Sequence, residues 1–99
     1  MAWRYKEHSM SEQKVFLIFQ DTADSRPFIE ALEQENPAAT FDYQPGMVRI
    51  DGMGELKITR EVVSEKAGRD MDLQELHLTL VSLSGNIDED DDYFSISRH

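Results

Sequence analysis

The sequence predicts an α+β domain, with mostly antiparallel strands in a sheet and helices on one face of it. Three observations carry this. Apolar runs of strand length, Lys14–Gln20 (KVFLIFQ) and residues 77–84 (HLTLVSLS), are rich in β-branched and aromatic residues. Two segments between them have helical spacing with recognisable start and stop residues. Turn signals, Pro45-Gly46 and Gly52-Met53-Gly54, separate shorter alternating runs. The order reads strand–helix–strand–strand–strand–helix–strand–strand. It is a β-α-β-β unit used twice, over residues 14–51 and 55–97. No sequence repeat accompanies the pattern.

Residues 1–13 are polar and without a period, and read as a flexible tail before a single domain at 14–99. Trp3 and Tyr5 are out of place in such a tail. They suit either a disordered terminus or a segment that orders on a partner. Met10-Ser11 reads as a second start, which would make residues 1–9 an extension. In Lys14–Gln20, Val15, Leu17 and Phe19 share one face and Phe16 and Ile18 the other, as in a central or doubly covered strand. Asp24 or Ser25 can cap a helix over residues 24–35 that tolerates Pro27 in its first turn and stops before Pro37. Thr40–Gln44 and residues 47–51 alternate as strands, and residues 55–58 are expected to return as a hairpin partner across the glycine turn.

Thr59 caps a second helix with Glu61 in its first turn, and Gly68 supplies the left-handed stop. Asp72-Leu73-Gln74-Glu75 resembles a capping box, so a further helical turn starts there. Residues 77–84 then form the last long core strand, 85–92 an acidic loop, and Tyr93–Ser97 a closing strand. Apolar residues lie on both faces of 14–20 and of 77–84, where Leu78 and Leu80 oppose Thr79, Val81 and Leu83. Either loops cover the second face or an apolar patch is left for a partner.

Twenty acids against ten Lys plus Arg give a net charge of −10 over 99 residues. Such a surface repels nucleic acid and anionic membranes. It favours a basic partner surface, or simply keeps the chain soluble. The absence of cysteine excludes disulfides, thiolate nucleophiles and cysteine-ligated zinc or iron–sulfur sites. It is compatible with a cytoplasmic location. No apolar run approaches the ~20 residues of a membrane span.

No motif points to catalysis. Asp88, Asp90 and Asp92 alternate like the start of a calcium loop, but Tyr93 stands where that loop needs glycine and His99 where it needs glutamate. His8, His77 and His99 are scattered. Gly52 and Gly54 make a turn rather than a phosphate cradle, and no serine stands in a nucleophile elbow. On residues alone the reading stops at a small acidic binding module.

Three segments take it further: VFLIFQDTADSR at 15–26, ITREVVSEKAGRDMDLQEL at 58–76 and VSLSGNIDEDDDYF at 81–94. In sequence and spacing they resemble the small effector (regulatory, or coupling) proteins of bacterial multicomponent diiron monooxygenases, and most nearly the phenol hydroxylase branch. The resemblance implies two β-α-β-β motifs, distantly ferredoxin-like. It implies a protein with no cofactor and no chemistry of its own. Such a protein binds the diiron hydroxylase component, alters access to its active site and couples reductant use to hydroxylation. It has no small-molecule substrate of its own. By resemblance the strand ending at Gly85 approaches the hydroxylase, through Thr79, Val81, Ser82, Leu83, Gly85 and Asn86, although Asn86 also suits a plain turn. The loop over residues 21–26 is a second candidate. Readings from other classes are a free-standing acidic adaptor and a small enzyme of ferredoxin-like shape.

Overall fold

A computed structural model describes residues 14–98. Its strands are β1 (Lys14–Gln20), β2 (Thr40–Gln44), β3 (Met47–Met53), β4 (Glu55–Thr59), β5 (Leu80–Ser84), β6 (Asn86–Glu89) and β7 (Tyr93–Ser97). Its helices are α1 (Arg26–Glu35), α2 (Arg60–Ala67) and a 3-10 helix over Leu73–Leu78. The α+β class and the antiparallel pairing stand, and the strands divide between two sheets, ordered β2-β3-β1-β5 and β4-β7-β6. Each unit repeats one topology. Its first strand pairs with its last, and its last with its middle one: β1 with β3 and β3 with β2, then β4 with β7 and β7 with β6. β5 is the exception. It arises in the second half of the chain and pairs with β1 of the first.

Three local expectations change. Residues 55–58 do not return alongside β3; β4 pairs with β7 instead. Gly54, at φ +90°, turns the chain from one sheet into the other. Residues 77–84 are not one strand, because the turn begun at Asp72 continues to Leu78 and β5 starts only at Leu80. Asp72 accepts the Gln74 N–H at 3.0 Å, and the capping contact carries the chain through His77. The acidic stretch is not all loop, since Asn86–Glu89 forms β6 on β7.

The first helix starts at Arg26 because the Ser25 hydroxyl turns back to the Gln20 and Thr22 carbonyls rather than capping it. The second starts as expected: Thr59 Oγ1 accepts the Val62 N–H, and Gly68, at φ +72°, ends it. One core joins the two sheets and the helices. Val15, Leu17, Phe19, Val48 and Ile50 come from the first sheet, Leu56, Ile58, Phe94 and Ile96 from the second, and Phe28, Ile29 and Leu32 from α1. Each set occupies alternate strand positions or one helix face, which is how an antiparallel sheet buries one side.

Candidate partner-binding surface

From Thr79 to Glu89 the chain runs along the margins of both sheets. Among the described residues β5 pairs only with β1 and β6 only with β7, and Gly85 joins them. The register fixes where each candidate residue sits. Ile18 faces Ser82 and Phe19 faces Leu80, so Val81 is the extra residue of a bulge. The bulge turns Val81 outward, where it is 52% exposed. It also lets Leu80 and Leu83 both pack against the core, which strict alternation would forbid. Ser82 and Asn86 are exposed.

Thr79 is buried, with 6% of its surface exposed. Its hydroxyl donates to the Leu76 carbonyl at 3.2 Å, and its own carbonyl accepts the Gln20 N–H at 2.9 Å. It ties β5 to β1 from inside. Gly85 has φ +139°, and a Cβ there would lie 2.6 Å from Ile96 Cγ1. Only glycine lets the chain pass between the sheets so close to the core. Val81, Ser82 and Asn86 therefore reach solvent together, while Thr79, Leu83 and Gly85 hold the strand in place.

Two residues on this margin escaped the sequence reading. Leu78, 81% exposed, ends the 3-10 helix, and Ile87, 41% exposed, lies on β6. Treating 77–84 as one strand put Leu78 on the same face as Leu80. The capping box at Asp72 was the available signal that helix would run past His77. The loop proposed as a second candidate neighbours this margin, because Gln20, Thr22 and Asp24 line a depression with Glu75, Leu78 and Thr79. Arg26 is turned away into an ion pair with Asp21 at 2.6 Å.

The opposite margin, β4, is covered. The Asn36 side chain donates to the Lys57 carbonyl at 2.8 Å and accepts the Lys57 N–H at 3.0 Å. Glu35 accepts the Thr59 N–H at 2.7 Å. These side chains take the place of a neighbouring strand. On β6 the Asp90 N–H donates to the Tyr93 carbonyl at 3.0 Å. Counting back by twos, Asp88 and Asn86 direct their backbone groups to β7, and Ile87 and Glu89 direct theirs away from it. The Glu89 carboxylate itself accepts from Gln74 at 3.0 Å and meets His77 Nε2 at 3.1 Å, tying β6 to the 3-10 helix.

The acids at 88–92 make a tight turn. Asp90 Oδ1 accepts the Asp92 and Tyr93 N–H groups at 2.8 and 3.1 Å. A hydrogen bond to the Asp88 carboxylate, with some burial, raises the Tyr93 phenol above its ordinary pKa. Among the described residues no cluster of three or more His, Cys, Asp or Glu could hold a metal ion. A groove beside α2 is lined by Thr59, Arg60, Glu61, Ser64, Glu65, Arg69, Asp70 and Asp92. Arg60 is held there by Asp70 at 3.0 Å and by the Met71 carbonyl at 3.1 Å, and Ser64 Oγ accepts the Met71 N–H at 3.0 Å.

Comparison with known proteins agrees. The MmoB/DmpM family model matches residues 13–97. The chain is 42% identical over 80 residues to the phenol 2-monooxygenase stimulatory component DmpM of Pseudomonas sp. (strain CF600), covering 81% of this chain and 89% of that protein. Two solved structures of a phenol hydroxylase–regulatory protein complex contain similar chains. One has TM-score 0.83 and 46% identity over 88% of this chain and all (100%) of that one. The other has TM-score 0.79 and 45% identity, over 86% and 99%. The soluble methane monooxygenase regulatory protein B shares the fold, with TM-score 0.67 and 17% identity over 87% of this chain and 65% of that chain. These relatives are stimulatory or regulatory components, not catalytic subunits. The chain belongs to the MmoB/DmpM family.

Proposed function

We propose that this protein is a non-catalytic, cofactor-free effector of a phenol-type monooxygenase in the cytoplasm. It binds the diiron hydroxylase component through the β5–β6 margin and regulates substrate and oxygen access, coupling electron use to hydroxylation. The observation that carries the reading is the likeness, at 46% identity over the whole of the matched chain, to the regulatory protein of a phenol hydroxylase complex. The exposure of Leu78, Val81 and Ile87 supports the binding margin, since apolar side chains left in solvent suit a contact surface. Among the described residues no helix is long and apolar enough to cross a membrane.

The action is a shift of populations. An effector that binds one hydroxylase conformation better than another draws the hydroxylase toward it, typically by about 1–3 kcal/mol. The acids give steering toward a basic surface, and the apolar residues give the contact that persists. Phenol turnover by the cognate hydroxylase and reductase, followed while this protein is titrated in, tests the reading. Product per reductant consumed should rise and saturate, with no product from this protein alone. A flat response, with the hydroxylase competent under another effector, would leave an acidic adaptor for a different partner.

A further inference from the structure

The first sheet has a second face, where two half-buried apolar side chains sit among polar ones. Phe16 and Ile18 stand on β1, which has a neighbour on each side, and alternate with the core residues Val15, Leu17 and Phe19. The register places Ser82, Ile18, Arg49 and Asp42 in one row across the sheet. Ser84, Phe16, Asp51 and Thr40 form the next. The Arg49 guanidinium lies 4.3 Å from the Phe16 ring centroid, and Asp51 grips it at 3.1 Å. Arg98 reaches the rim and donates to Ser84 Oγ at 2.6 Å, and Lys14 begins β1. This face thus gathers Lys14, Arg49 and Arg98 against Asp42 and Asp51, in a chain whose net charge is −10.

We propose that this face, from Ser82 across Ile18 and Phe16 to Arg49, lies flat against the hydroxylase, with the Phe16–Arg49 stack as its anchor. The proposal rests on the effector reading above. One observation chooses the hydroxylase as occupant. Ser82 belongs both to this face and to the β5 margin, so the two surfaces are continuous. The matching hydroxylase patch is apolar, with an oxygen acceptor, such as a carboxylate, facing Arg49. Arginine and aromatic residues dominate interface energetics, and an arginine already fixed by stacking and an ion pair loses little freedom on docking.

Affinity for the hydroxylase, measured with a fluorescently labelled effector, tests this against Arg49→Glu, Ile18→Ser and, as a control on the second sheet, Lys57→Glu. Arg49→Glu and Ile18→Ser should each weaken binding about tenfold or more while thermal midpoints stay close to wild type, and Lys57→Glu should change it less than about twofold. If Ile18→Ser does not fold, Arg49→Glu decides alone. Wild-type affinity in Arg49→Glu, alongside a loss in Val81→Asp, would confine docking to the β5 margin and overturn the proposal with the effector reading intact. Equal losses in Arg49→Glu and Lys57→Glu would mean bulk charge alone and overturn it too. A wild-type chain that does not bind the hydroxylase overturns both readings.

Discussion

β4 and β5 both lie at the margin of a sheet, and the molecule finishes them differently. β4 is sealed: Asn36 pairs with both backbone groups of Lys57, and Glu35 takes the Thr59 N–H. Among the described residues β5 has no such side-chain cover, and it carries the Val81 bulge. A bulge blocks open-ended strand addition, yet it also pushes an apolar side chain into solvent. The sealed margin belongs to a sheet whose outward positions hold Glu55, Lys57, Tyr93 and Ser97, with Lys57 lying over the Tyr93 ring. The bulged one belongs to a sheet whose outward positions hold Phe16 and Ile18. Two units of one topology thus finish their margins differently, and the proposed contact surface lies on the one that side chains leave open among the described residues.

The glycines where the chain changes sheets give the largest test. Gly85→Ala meets both a left-handed φ and a 2.6 Å clash with Ile96, so it should destabilise by about 2–5 kcal/mol in denaturant unfolding. Gly54→Ala, at φ +90° with no atom within 4 Å, should cost only about 1–2 kcal/mol. Equal costs would remove the claim that Gly85 is pinned by packing against the core. On the open margin, Val81→Asp should leave the fold intact and weaken hydroxylase binding by about 1–2 kcal/mol in a titration. Unfolding of Val81→Asp would make the bulge a core feature instead.

On the sealed margin, Asn36→Ala should lower stability by about 1 kcal/mol, since those bonds are solvent-exposed, and leave hydroxylase affinity unchanged. A change in affinity would mean that both margins dock. The smallest effect concerns Tyr93, whose raised pKa comes first from its bond to Asp88. A phenol raised on folding adds stability that is complete below the unfolded pKa of about 10 and lost as pH rises through the folded value. Ultraviolet titration of Asp88→Asn should therefore show one tyrosine ionising at lower pH than in wild type. An unchanged curve would dissociate the pair.

Much of this was legible in the chain. The alternation in Lys14–Gln20 separated Val15, Leu17 and Phe19 from Phe16 and Ile18, and the structure shows that the first set is the core. Thr59 and Gly68 marked both ends of α2 through local chemistry alone. What failed was long-range. Gly52-Met53-Gly54 reads as a hairpin turn, and nothing nearby says that β4 will find β7, forty residues on, rather than β3. The Val81 bulge was equally hidden, because period-two reading gives every residue of 77–84 a face and allows no extra one. That single shift decides the site. It sends Leu83 to the core beside Leu80, leaves Val81 exposed and, with the longer 3-10 helix, exposes Leu78. The family likeness pointed to a stretch of chain, and the backbone geometry sorts which of its side chains reach solvent.

Amide hydrogen exchange of this protein, alone and bound to the hydroxylase, bears most directly on the division between open and sealed margins. The account predicts new protection across Leu80–Ser84 and Asn86–Glu89 on binding, with Glu55–Thr59 unchanged. New protection confined to Glu55–Thr59, with β5 and β6 exchanging as in the free protein, would contradict it.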